Sequence, residues 1–93
     1  MNIEKLIRDD APIVDVRTNQ EFSGGHVSGS INIPLQELQN RVDEFKTLKT
    51  PVLLCCASGN RSGIAAQFLS SQGFECINAG SWMDVNYYQS LNV

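Results

Sequence analysis

A short polar loop that begins with a cysteine, and joins an apolar strand to a helix, is the feature that most constrains this chain. The apolar run from Val52 to Cys55 is typical of a buried strand, and apolar residues recur at helical spacing before Gly73. A thiol between these elements lies near a helix N-terminus, whose partial positive charge favours the thiolate. Cys56 is therefore the predicted nucleophile. The loop consists of Cys56, Ala57, Ser58, Gly59, Asn60, Arg61 and Ser62.

The length of this loop indicates which chemistry the thiolate serves. Four residues separate Cys56 from Arg61, and Gly59 permits unusual backbone dihedrals. We expect the amides from Ala57 to Ser62 to turn inward as an anion-binding nest, assisted by Arg61. Loops of tyrosine phosphatases and arsenate reductases have one more residue between Cys and Arg. The tighter loop favours attack on a sulfane sulfur, although a phosphatase or arsenate reductase stays an alternative.

Further segments along the chain, with the cysteine loop, occur in the order and at the spacing of one family. They are Asp15 to Arg17, Glu21-Phe22, Gly25 to Val27, Gly29 to Pro34 and Gly73-Phe74. Over about Ile3 to Trp82 the chain resembles the rhodanese-like sulfurtransferases. The resemblance implies a three-layer α/β/α fold with a mostly parallel central sheet, forming a single domain over residues 1–93.

The resemblance also implies a two-step reaction. The Cys56 thiolate takes the sulfane sulfur of a small anionic donor such as thiosulfate, and the persulfide passes it to cyanide or a thiol. A relay or interaction module that exchanges persulfide with another protein is a second interpretation. The residue pattern does not separate free thiosulfate from a protein persulfide as the donor, and it leaves the oligomeric state open.

Composition excludes several other classes of function. The chain has 93 residues, 42% of them hydrophobic and 18% charged, as in an ordinary globular domain. Its net charge of −3 argues against a nucleic-acid or anionic-membrane partner. No apolar run approaches a membrane span, and Met1 to Lys5 does not open a signal peptide. We therefore predict a cytoplasmic protein.

Alternating short elements predict an α/β architecture. A first helix contains Ile3, Leu6 and Ile7, and one longer helix carries Leu35, Leu38, Val42 and Phe45 on a single apolar face. Strands are predicted over residues 13–16, 31–33, 52–55 and 74–77, with turns at residues 23–25 and 79–80 and a helical turn over residues 81–85.

Two polar residues at the end of the first strand are predicted to support the loop. Asp15 and Arg17 follow an apolar strand, and the carboxyl ends of parallel strands converge on a site. We expect Arg17 to pair with Glu21, and Asp15 to accept hydrogen bonds from loop amides. Direct contact with the substrate is the alternative for both residues.

The remaining chemically active side chains are expected to be structural. Cys55 points to the opposite face of its strand from Cys56, and Cys76 has apolar neighbours. His26 is the only histidine, and attack by an ionised thiol needs no base. Adjacent cysteines without a spacer do not form a zinc motif, so neither a metal nor a cofactor is predicted.

Overall fold

The computed structural model describes residues 2–91 and contains one four-stranded sheet. The strand order is β2-β1-β3-β4, and every pair of neighbouring strands is parallel. The predicted α/β fold with helices around a parallel sheet is therefore confirmed. In chain order the elements are α1 (Ile3–Arg8), β1 (Ile13–Asp15), α2 (Asn19–Ser23), β2 (Ile31–Asn32), two 3-10 helices (Leu35–Asn40 and Val42–Thr47), β3 (Val52–Cys56), α3 (Asn60–Ser71), β4 (Cys76–Ser81) and α4 (Trp82–Ser90).

The sheet separates two apolar cores. Every residue of β3 is buried, as expected for a central parallel strand covered on both faces. Val14, Leu54 and Cys56 belong to the core beneath α3 and the 3-10 helices. Leu53 and Cys55 belong to the core beneath α1 and α4. The alternation along β3 thus places the two neighbouring cysteines on opposite faces of the sheet.

The last strand differs from the prediction. The sequence pattern placed a strand over residues 74–77 and a turn at residues 79–80, whereas β4 spans Cys76–Ser81. Its pairing with β3 shifts after Leu54, which lies opposite Asn78, because the next pair is Cys55 with Gly80. Gly80 has φ of 90°, a conformation that favours glycine, inside the strand. The supposed turn is therefore a bulge that lets β4 continue beside Cys56.

The predicted long helix is replaced by two 3-10 helices that meet at Arg41. The backbone of Arg41 has φ of −125° and ψ of 18°, which interrupts the helical geometry. Leu38 and Phe45 are nevertheless both buried. The apolar spacing therefore marked the buried positions correctly, but it did not distinguish a regular helix from two tight turns.

Two other helices differ from the prediction, one because it was missed and the other because it is longer. α2 was not predicted, although Thr18 and Glu21 form a capping box at its start. α4 continues well beyond the predicted helical turn at residues 81–85 and ends at Ser90. Within residues 2–91, no helix is both long and apolar enough to cross a bilayer.

Candidate active site

Cys56 is the last residue of β3, and the loop after it leads directly into α3. Gly59 is the residue before the helix and adopts the left-handed region, with φ of 99°. No side chain caps this helix end, so the amides of its first turn are available to another acceptor. The carboxyl end of a parallel strand and a helix N-terminus therefore meet at one thiol.

The sulfur of Cys56 is surrounded by hydrogen-bond donors. The Gly59 amide nitrogen lies 2.9 Å from Sγ, the Ser62 amide nitrogen 3.4 Å, and the Ser62 hydroxyl 3.3 Å. Burial raises the pKa of the Cys56 thiol, but the Ser62 hydroxyl and the amides of Ser62, Ser58 and Gly59 outweigh burial and lower it. The arrangement stabilises a thiolate.

The expected nest is formed by part of the loop only. The amides of Gly59 and Ser62 donate directly to Sγ, and the Ser58 amide also lowers the pKa of the thiol. Among the contacts of the described chain, the amides of Ala57, Asn60 and Arg61 make no hydrogen bond to the sulfur. The anion-binding character of the loop is therefore concentrated at the start of α3.

Asn78 of β4 holds the loop from the far side of α3. Its side-chain nitrogen donates to the Gly59 carbonyl at 3.0 Å, and its Oδ1 accepts from the Gly80 amide at 3.0 Å. The Ser62 hydroxyl lies 2.7 Å from the same Oδ1. Sequence reasoning missed Asn78, because the predicted strand ended at residue 77 and Asn78 lies within the longer β4.

Arg61, which is predicted to contact a bound anion, is paired with a carboxylate in the structure. Its guanidinium makes a bidentate ion pair with Glu21, with distances of 2.7 Å from Nη1 to Oε1 and 3.0 Å from Nη2 to Oε2. The hydrogen bond from Arg61, followed by that from the Thr18 amide, lowers the pKa of Glu21 to about 2. Glu21 belongs to one of the segments that carry the family resemblance, but the contact of Glu21 with the loop was not predicted.

Asp15 and Arg17 form a buried pair beside the site. The predicted pairing of Arg17 with Glu21 is wrong, because its guanidinium binds Asp15 at 2.8 Å and the Gly25 carbonyl at 2.7 Å. The guanidinium also lies over the Trp82 ring, 4.6 Å from its centroid. Asp15 accepts from the Arg17 amide and not from the cysteine loop. The pair therefore joins β1 to the turn at Gly25 and to α4.

The other candidate side chains lie in structural settings. Burial raises the pKa of Cys55 to about 12 and that of Cys76 to about 11. His26 stacks on the Phe22 ring at 3.7 Å, and its Nδ1 lies 2.8 Å from the Phe22 carbonyl oxygen. These are packing and stacking contacts, and the structural roles of the three residues stay predictions. Within residues 2–91, no group of three or more His, Cys, Asp and Glu side chains is placed to hold a metal.

Comparisons with known proteins point to one family. The sequence model of one protein family, the rhodanese-like domain, matches residues 2–86. The uncharacterized protein YqhL of Bacillus subtilis (strain 168) is 49% identical over 63 residues, which cover 68% of this chain and 49% of that protein. This chain therefore spans about half the length of that relative.

Two relatives have names that refer to sulfur chemistry. Thiosulfate sulfurtransferase PspE of Escherichia coli (strain K12) is 36% identical over 78 residues, covering 77% of this chain and 71% of that protein. The putative sulfur carrier protein YrkF of Bacillus subtilis (strain 168) is 36% identical over 63 residues, covering 68% of this chain and 34% of that protein. A solved structure described as a rhodanese with anions from E. coli is 34% identical, with a TM-score of 0.72 over 80% of this chain and 89% of its own.

Proposed function

This chain belongs to the rhodanese-like family of sulfurtransferases, and on that basis we propose that it transfers a sulfane sulfur through a persulfide on Cys56. The donor is thiosulfate or a thiol persulfide, and the acceptor is cyanide or a thiol. The observation that carries the proposal is the set of donors around Sγ, namely the Gly59 amide and the amide and hydroxyl of Ser62. They lower the pKa of the thiol despite its burial.

The reaction divides into two displacements at sulfur. The Cys56 thiolate attacks the outer sulfur of thiosulfate, the S–S bond of the donor breaks, and sulfite leaves with the bonding electrons. The product is a Cys56 persulfide anion, so the total charge is unchanged. Cyanide or a thiolate then attacks the outer sulfur of that persulfide, and the Cys56 thiolate is restored. The amide groups of the loop stabilise the negative charge in both steps.

Access to the sulfur requires a small movement. Cys56 has 0% of its surface exposed, whereas Ala57 and Ser58 of the loop above it are exposed. Gly59, in the left-handed region, gives this segment its tight turn. We infer that a rotation of the Cys56 side chain or a shift of the Ser58–Gly59 peptide precedes attack.

A sulfur-relay role is the second candidate. The relative named as a putative sulfur carrier supports it, since a carrier receives sulfur from another protein and gives it to a third. The same Cys56 chemistry serves both roles, and only the source of the sulfur differs. Hydrolysis of phosphate esters by the same thiolate is the remaining alternative. An assay with a phosphate ester, run in parallel with the sulfur-transfer assay, distinguishes the two.

Mass spectrometry of the intact protein tests the proposal. Thiosulfate alone, with no acceptor, is expected to add one sulfur atom to the peptide that contains Cys56, and cyanide is expected to remove it as thiocyanate. Cys56→Ser should abolish the adduct and all turnover. Cys55→Ser and Cys76→Ser are matched controls that should retain most of both, because Cys55 lies in the other core and Cys76 pairs with Val52, at the opposite end of β3 from Cys56.

Three results would change the assignment. An adduct from a protein persulfide but not from thiosulfate would favour the relay module over the free-standing enzyme. Faster hydrolysis of a phosphate ester through Cys56 would replace sulfur transfer with phosphatase chemistry. Turnover of Cys56→Ser near that of the wild type would place the chemistry at another residue.

A further inference from the structure

The positive charge of the cysteine loop, which belongs to Arg61, is offset by a carboxylate of the same chain. Arg61 is the only cation in the loop, and both of its terminal nitrogens are bound to the Glu21 carboxylate. The other three arginines, all within residues 2–91, are also paired with carboxylates: Arg8 with Glu4, Arg17 with Asp15, and Arg41 with Glu37 and Glu44. In the described chain no arginine is left to bind a donor dianion.

Glu21 is held in position for this pairing by its own helix. The Thr18 amide donates to Glu21 Oε1 at 3.0 Å, and the Thr18 hydroxyl lies 3.1 Å from the same oxygen. The Glu21 amide donates back to the Thr18 hydroxyl at 3.2 Å. Contacts within α2 therefore hold the carboxylate in place independently of Arg61, which is 40 residues away in sequence.

Arg61 is near enough to the sulfur for its charge to matter. The hydrogen bonds that Arg61 donates to Glu21 are the main cause that raises the pKa of Arg61, and the negative charge of Cys56 raises it further. The guanidinium thus lies within electrostatic reach of Cys56, but its charge is offset by a carboxylate at hydrogen-bond distance. What remains at the sulfur itself is a set of uncharged donors.

We propose that Glu21 sets the donor preference of this site, because by neutralising Arg61 it makes the loop favour thiol persulfides of low charge over the thiosulfate dianion. The inference rests on the proposed sulfur transfer and narrows its substrate class. A persulfide donor passes its terminal sulfur to the Cys56 thiolate and leaves as a thiolate, so it needs no cation to hold a second charge. Thiosulfate keeps two negative charges until sulfite departs, and gains most from a free guanidinium.

Glu21→Gln tests the proposal without removing the helix cap. The amide oxygen of Gln still accepts from Thr18, but it carries no charge to offset Arg61. We expect kcat/KM for thiosulfate to rise about five- to tenfold, the factor that one released charge gives at a partly exposed site. With N-acetylcysteine amide persulfide, generated in solution as a donor without other charges, kcat/KM should stay within about twofold. Both rates are measured as persulfide formation on the protein.

Two companion variants isolate the Arg61 charge. Arg61→Ala, which leaves Glu21 unpaired, should lower kcat/KM for thiosulfate about five- to tenfold. The double variant Glu21→Gln/Arg61→Ala should return to within about twofold of the wild type, since both charges are absent. Glu44→Gln is the matched control, because it removes the same charge from another bidentate arginine pair, that with Arg41. It should leave both rates unchanged.

The outcomes separate this inference from the proposed function. An unchanged or lower thiosulfate rate in Glu21→Gln, with the variant still folded at the assay temperature, would overturn the inference while sulfur transfer stands. An equal gain in Glu44→Gln would also overturn it, by showing a general effect of net charge. If neither donor loaded Cys56 of the wild-type protein, the proposed function would fall and this inference with it.

Discussion

At the scale of single residues, the Ser62 hydroxyl has one proton and two acceptors. Asn78 Oδ1 lies at 2.7 Å and Cys56 Sγ at 3.3 Å, so the proton serves one of them at a time. When Cys56 is a thiol, it donates to Ser62 and Ser62 donates to Asn78. When Cys56 is a thiolate, the hydroxyl turns to the sulfur, and Asn78 still accepts from the Gly80 amide. The loop therefore accommodates both protonation states without leaving a buried acceptor unpaired.

Ser62→Ala should raise the pKa of Cys56, because it removes a hydrogen bond that stabilises the charged sulfur. The rate of alkylation by iodoacetamide, measured against pH, should move to higher pH. Ser71→Ala is the control, since that hydroxyl lies on the same helix and binds the Phe68 carbonyl. A profile for Ser62→Ala that coincides with the wild type would exclude the hydroxyl as a thiolate donor.

At the scale of elements, the unit of β3, loop and α3 is predictable because it is encoded locally. An apolar run, a glycine and a helical stripe specify it without help from distant residues. β4 was less predictable, since its bulge depends on pairing with β3 and local patterning at Gly80 suggests a turn. The break between the two 3-10 helices at Arg41 was also not predictable from the local pattern. An apolar spacing of three and four suits a regular helix and successive 3-10 turns equally well.

Gly59→Ala should damage the loop more than its small volume suggests. A Cβ at φ of 99° is strained by about 1–2 kcal/mol, and the strain falls on the peptide whose amide binds Sγ. Persulfide formation should slow at least tenfold. Gly73→Ala is a matched control, because Gly73 also has a positive φ of 91° and nothing lies within 4 Å of the added Cβ.

The two glycine variants should lose similar stability in urea denaturation, but only Gly59→Ala should lose thiol reactivity. Equal loss of reactivity in both variants would mean that general destabilisation, not loop geometry, slows the reaction.

At the scale of the whole molecule, the site is assembled by contacts that span the chain. Glu21 reaches Arg61 across 40 residues, and Asn78 reaches Ser62 across 16. The sequence placed Cys56 and its loop correctly, since they are local. It did not predict the partner of Arg61, because spacing along the chain does not specify which carboxylate the folded sheet brings to the loop.

The Glu21 pair should make the stability of the fold sensitive to acid. The folded pKa of Glu21 is about 2 against an ordinary 4.5, so its contribution is complete above about pH 4.5 and disappears as pH falls through about 2. In urea denaturation, Glu21→Gln should be less stable than the wild type by about 1 kcal/mol or less near pH 6. The difference should vanish near pH 2. A difference that stayed constant over this range would show that the ion pair does not contribute.

The placement of the three cysteines in the fold has a consequence for how a sulfur would leave Cys56. Cys55 faces the other core, and Cys76 pairs with Val52 at the far end of β3. These are all the cysteines of the chain, and all lie in its described part. In the proposed reaction, a sulfur bound to Cys56 therefore has no internal thiol that could release it by closing a disulfide. Discharge is left to molecules from outside, so the lifetime of the loaded form is set by the supply of acceptor.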